Sequence, residues 1–281
     1  MHAATPRLAG PLGHDATRHA GQPGLTPLRV AHSEWIKLRS VRSTAWTLAV
    51  SLLLIAGIGI GASALKRGYL AHHPGHHNDL SSVTLSLFGV DLAQLTIGLL
   101  GALLATSEYM TGTIGATLAA VPRRLPVLVA KLAVFAAVIL VTCEITLLFT
   151  FLASQVILAP AHAGVSLGAP GALRAVSGAG LYLTATGLLG MAVGFAVRRT
   201  AGATAIIAGV LLVLPLTLAA ALPPDVARQI LPHLPSTAGQ AIMYLQPAPD
   251  TMAPWTGLSL FAGYTTLAIA AAALLLKRRD A

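Results

Sequence analysis

An all-α fold that crosses a membrane six times is predicted by three features of the chain. Composition is the first: of 281 residues, 55% are hydrophobic and only 10% charged, with a mean hydropathy of +0.76. A soluble domain usually carries about 25% charged residues, so this chain has too little polar surface for one. The second is a series of long apolar runs, each near or above the roughly 20 residues needed to cross about 30 Å of hydrocarbon. The third is the absence of polar/apolar alternation in those runs, which argues against a transmembrane β-barrel.

Residues 1–27 are rich in glycine, proline and histidine and read as a disordered tail. Nothing there resembles a cleaved signal peptide, so the first apolar run stays in the protein. Residues 28–281 form the membrane domain. Its opening stretch, 29–44, repeats Ala31, Trp35, Leu38 and Val41 at helical spacing, with Glu34, Lys37 and Arg42 on other faces. With Arg39 among its cations and Trp35 suited to the headgroup zone, it reads as an elbow helix along the inner leaflet. Six spans follow, at 47–65, 83–106, 132–158, 175–197, 201–222 and 257–276. The third is long enough to tilt or to break near Glu144.

Orientation follows from lysine and arginine. With the N-terminus inside, the inner flanks receive Arg29, Lys37, Arg39, Arg42, Arg123, Arg124, Lys131, Arg198, Arg199, Lys277, Arg278 and Arg279. The outer flanks receive only Lys66, Arg67, Arg174 and Arg228. This positive-inside bias puts both termini in the cytoplasm and requires an even number of spans. The net charge of +9 is then a matter of topology and contact with anionic lipid, and no nucleic-acid partner is expected.

One inner loop carries patterned chemistry. Glu108-Tyr109-Met110-Thr111-Gly112-Thr113-Ile114 leads to Pro122-Arg123-Arg124 and Lys131. A carboxylate at the membrane exit pairs with a partner's cation or caps a helix start. Gly112 permits a turn or close approach, and Pro122 stops a short surface helix that a soluble partner can grip. The plainer reading is a positive-inside signal alone. Outside, His72, His73, His76, His77 and Asp79 offer metal-ligand chemistry but lack a rigid scaffold, and a solvated loop is the preferred reading. The proline-punctuated stretch 223–256 leaves room for two short helices, near 225–231 and 236–245, that cap a pathway from outside.

Within the spans, Asp91 and Gln94 sit toward the outer end of the second and Glu144 near the middle of the third. An ionisable group at that depth faces a cavity or a partner, so Glu144 and Asp91 are candidate pathway residues; a hydrogen-bonded structural carboxyl is the competing reading. Gly57-x-x-x-Gly61 and Gly190-x-x-x-Gly194 allow helices to approach closely. Enzymatic readings fail on inventory. The 10 histidines all lie outside the apolar runs, and the single Cys143 excludes an internal disulfide. No lysine is followed by Ser or Thr and no P-loop pattern occurs, so any ATP chemistry belongs to another polypeptide.

Five segments carry a resemblance. They are Ser33-Glu34-Trp35-x-Lys37-Leu38-Arg39-Ser40-x-Arg42-Ser43-Thr44, the Glu108-Tyr109-x-x-Gly112-Thr113-Ile114 loop, Pro122-x-Arg124 with Lys131, Leu234-Pro235-Ser236-Thr237-Ala238-Gly239, and the terminal Arg278-Arg279-Asp280-Ala281. Together they resemble the permease subunit of bacterial type-2 ATP-binding-cassette (ABC) exporters. The resemblance implies an elbow helix, a coupling helix between spans two and three, and short outer helices before span six. It further implies a second permease subunit, in a homodimer or heterodimer, and a cytoplasmic ATPase carrying ATP and Mg²⁺, with no cofactor in this chain. The expected location is the plasma membrane. A proton-coupled secondary transporter and a non-transporting scaffold or sensor stay open as alternatives.

Overall fold

The computed structural model describes residues 35–36, 42–73, 81–110, 124–245 and 251–278. At Glu108 and Arg124 it describes the helical backbone alone. Among the described residues every regular element is helical, and six helical stretches are long and apolar enough to cross a membrane. The first is α1, Arg42–His72. The second consists of α2, Ser82–Leu87, and α3, Val90–Met110. The third and fourth are α4, Arg124–Leu158, and α5, Ala172–Val197. The fifth joins α6, Thr200–Ala208, to α7, Leu214–Ala221, through a π turn at Gly209–Val213. After it come the short α8, Pro224–Ile230, and α9, Pro235–Gln240, before the last span, α10, Pro254–Arg278.

Helix α5 is the centre of the bundle: α3, α4, α6 and α10 all pack on it, and α1 closes the far side against α3 and α4. Its apolar window is 67% buried, against 17% for the fifth and sixth spans. Between helices in lipid there is little hydrophobic driving force, so close van der Waals fit must hold them together. The α3–α5 contact shows how. A Cβ on Gly101 of α3 would strike the Gly187 carbonyl of α5, and one on Gly190 of α5 would strike the Gly98 carbonyl of α3. Gly194 extends the seam against Ala102 and Ala105. The Gly190-x-x-x-Gly194 pair therefore packs, whereas around Gly57 and Gly61 a Cβ would meet nothing within 4 Å.

The described helices add detail to the sequence reading. Residues 42–44, placed by the sequence in the elbow stretch, are helical and continuous with α1. Of the elbow candidates, Trp35 is helical and exposed, while Glu34, Lys37 and Arg39 lie outside the described residues. Helix α4 passes Glu144 without a break. The fifth span widens to a π turn just before Pro215. Proline has no N–H to return to the carbonyl of Leu211, and the ladder reorganises around that gap.

The second span also bends, at Phe88-Gly89, where a Cβ on Gly89 would run into the backbone of Ile55 on α1. Ser81 caps the start of α2, its hydroxyl accepting from Val83 N at 3.2 Å and Thr84 N at 3.3 Å. The outer helices fall where prolines allow a first turn: α8 starts at Pro224 and α9 at Pro235. His72 ends α1 and His73 follows it, each with its ring Nδ1 at the carbonyl four residues back; His76, His77 and Asp79 lie outside the described residues.

Candidate functional site

At the end of the bundle expected to face inward, α3 carries Glu108 and Tyr109 in its last described turn. Gly112, Thr113, Pro122 and Arg123 lie outside the described residues, and Arg124 is the first described residue of α4. Tyr109 turns inward, meeting Phe195 edge-on at 6.3 Å and lying under Arg198, whose guanidinium carbon is 5.1 Å from the ring centroid. Arg198 takes the left-handed conformation, φ 61°, in the two-residue turn between α5 and α6, and its N–H returns to Gly194 O at 2.9 Å. Beside it Thr200 Oγ1 donates to Thr106 Oγ1 at 3.0 Å. A cavity of about 340 Å³ opens here between α1, α3 and α6. Its polar wall consists of hydroxyls: Ser43, Thr44, Thr47, Thr106, Ser107 and Thr200.

Midway through the bundle, Glu144 is half-buried on α4 with its carboxyl laid across Gly180 of α5. The missing side chain at 180 makes that room; a methyl there would collide with the carboxyl. Cys143 beside it is fully buried.

The outer end holds a polar network that links three elements. Tyr182, fully buried on α5, donates to Gln94 Oε1 on α3. Gln94 Nε2 donates to Asp91 O at 2.9 Å. Gln240 of α9 donates from Nε2 to Asp91 Oδ1 at 2.9 Å, and Gly239 lies flat on the Tyr182 ring, leaving no room for a Cβ. Phe261 of α10 covers the same ring at 5.1 Å. Arg174 ties the segment after α9 by donating from Nη2 to Tyr244 O at 2.9 Å. Burial, with the Asp91 carboxylate adding to it, raises the Tyr244 phenol above its ordinary range.

The predicted residues therefore fall in three places, not one. Glu108 and Tyr109 mark the inner end, Glu144 the middle and Asp91 the outer end, where the fold joins it to Gln240 from a segment 149 residues away. Tyr182 and Gln240 were missed, and Arg198 entered the reading only as a topological charge. The Leu234–Gly239 motif pointed toward the outer network, since Gln240 follows it directly.

Six apolar spans packed about a glycine-lined central helix define a multi-pass helical membrane protein with polar clusters at both membrane faces. Residues 31–215 match the family described as ABC-2 family transporter protein. That match covers well over half of the sequence, and the chain belongs to this family of ABC transporter permeases. Members are membrane subunits and not themselves enzymes, and the family implies an ABC ATPase subunit as partner. The match begins near the Trp35 stretch and ends in the fifth span at Pro215, leaving the outer helices and the last span beyond it. No curated protein matches the sequence.

Proposed function

We propose that this permease moves a substrate out of the cytoplasm by alternating access, driven by a separate ATPase that docks on the 108–124 segment. Membership of the ABC-2 family is the observation that carries the reading. The lysine and arginine distribution supports it by turning this segment and both termini toward the cytoplasm, with the plasma membrane as the site of action. Two copies of the chain, or this chain and a second permease, pair around the pathway. ATP and Mg²⁺ belong to the ATPase.

Nucleotide shifts a transport equilibrium only by binding one conformational state more tightly than the other. The docked segment must therefore be gripped differently when the ATPase closes. Glu108 offers the carboxylate for that grip, Gly112 and Thr113 the close backbone approach, and Pro122, Arg123 and Arg124 the far anchor at anionic headgroups. In the elbow, Glu34, Trp35, Lys37, Arg39 and Arg42 hold the first span at the inner leaflet. Glu144 and Asp91 are the pathway candidates.

The test is capture of the co-expressed ATPase together with ATP-dependent efflux. Glu108→Lys and Gly112→Trp should abolish efflux and weaken ATPase capture, with membrane insertion and permease pairing intact. Unchanged capture and efflux in both variants would sink the docking role.

A further inference from the structure

We infer that Arg198 and Tyr109 form a positioning pair that carries movement of the docking segment to the fifth span. The inference rests on the docking role proposed for 108–124. Tyr109 follows Glu108 directly, so any displacement of the docked loop is felt first at its ring. That ring does not project toward a cytoplasmic partner; it is held under the Arg198 guanidinium at 5.1 Å and against Phe195. Arg198 in turn starts the connection that becomes α6 two residues later.

The glycine seam between α3 and α5 makes those two helices move as one, but its last member is Gly194. Beyond it the turn at Arg198-Arg199 is tied back to α3 by the Tyr109–Arg198 stack and the Thr200–Thr106 hydrogen bond. The left-handed turn residue here is an arginine where glycine is the usual choice, so the position gains a long cation at the expense of backbone ease. Among the described residues its Nε is buried without a hydrogen-bond partner, and the guanidinium lies over the tyrosine face. Farther along the fifth span, the π turn at Gly209–Val213 and Pro215 interrupt the regular ladder. A push at Arg198 therefore tilts the inner half of the span, Thr200–Ala208, about that interruption.

Two measurements test the pair. The first uses the full-length chain alone in lipid nanodiscs and follows hydrogen exchange at 105–110 and 200–208. Arg198→Gln should speed exchange in both segments by about threefold to tenfold, with Arg198→Lys near the parent. The Tyr109→Leu/Arg198→Gln double variant should be no faster than the single. Additive effects, or a change confined to 200–208, overturn the pair.

The second uses the complex with its captured ATPase, in a Cys143→Ser background carrying spin labels at Val129 and Ile206, both exposed. ADP–vanadate should change the interlabel distance in the parent and in Arg198→Lys. In Arg198→Gln the distance should stay put while ATPase capture and ATP hydrolysis persist. A merely structural role would lower capture and hydrolysis along with the movement, and that result, or parent-like movement in Arg198→Gln, overturns the inference. Failure of the parent chain to capture an ATPase instead overturns the docking reading, and the transmission role with it, while the exchange measurement still reports whether the two side chains are coupled.

Discussion

At the scale of single residues, the carboxyl of Glu144 and the phenol of Tyr182 illustrate two ways a membrane protein accommodates polarity at depth. Tyr182 is fully buried, and its hydroxyl is satisfied by Gln94 across the α3–α5 contact. Tyr182→Phe removes the donor and leaves Gln94 Oε1 to find another, a cost of about 1–3 kcal/mol that thermal unfolding in mild detergent should register. Loss of the Gln94 contact should also loosen α9, whose Gly239 rests on the same ring. Glu144 occupies the gap over Gly180 and is only half-buried. If it lines the pathway, Glu144→Gln should change efflux or substrate preference with the complex assembled, because the amide keeps the shape and removes the charge. Should Glu144→Gln and Glu144→Leu both leave efflux and stability unchanged, the residue has no role in either. Tyr182 was not legible as a site residue from the chain alone. A tyrosine in an apolar run has the same pattern whether it faces lipid or a glutamine on another helix.

Among elements, the α3–α5 seam and the Gly57/Gly61 pair of α1 behave oppositely although their motifs look alike. A Cβ at Gly101 would drive into the Gly187 carbonyl and approach Met191 N to 2.9 Å, whereas at Gly61 it would meet nothing within 4 Å. Gly101→Ala should therefore destabilise the bundle by about 1–3 kcal/mol, the usual cost of overpacking. Gly61→Ala should be neutral or stabilise by up to about 1 kcal/mol, since alanine is the better helix former. Chemical or thermal unfolding of the two purified variants checks both signs. Equal effects would mean that the seam is not what holds α3 to α5. Spacing of small residues declares that close approach is allowed. Which face meets another helix is set by where the neighbours lie.

For the whole molecule, orientation is the first testable property. Reporters fused at His76 and Gln246 should read outside, and those at Gly115 and Asp280 inside; a cytoplasmic signal at His76 would overturn the six-span arrangement. The six spans were legible from the chain because bilayer thickness imposes a length and a composition on each crossing, whatever its neighbours. The short outer helices were legible for a local reason too, since prolines at 224 and 235 mark their first turns. The inner loop was readable as a motif, and the family match bears out the class of protein it suggested. What only the tertiary structure decided are the meetings between distant segments: α5 as the centre, Asp91 joined to Gln240, Arg198 stacked on Tyr109, and Glu144 laid over Gly180. Each of these depends on helix rotation about its own axis, and in lipid that rotation is set by steric fit between helices. An apolar stripe that faces lipid is composed like one that faces a neighbour, so the sequence carries no periodic signal to tell them apart.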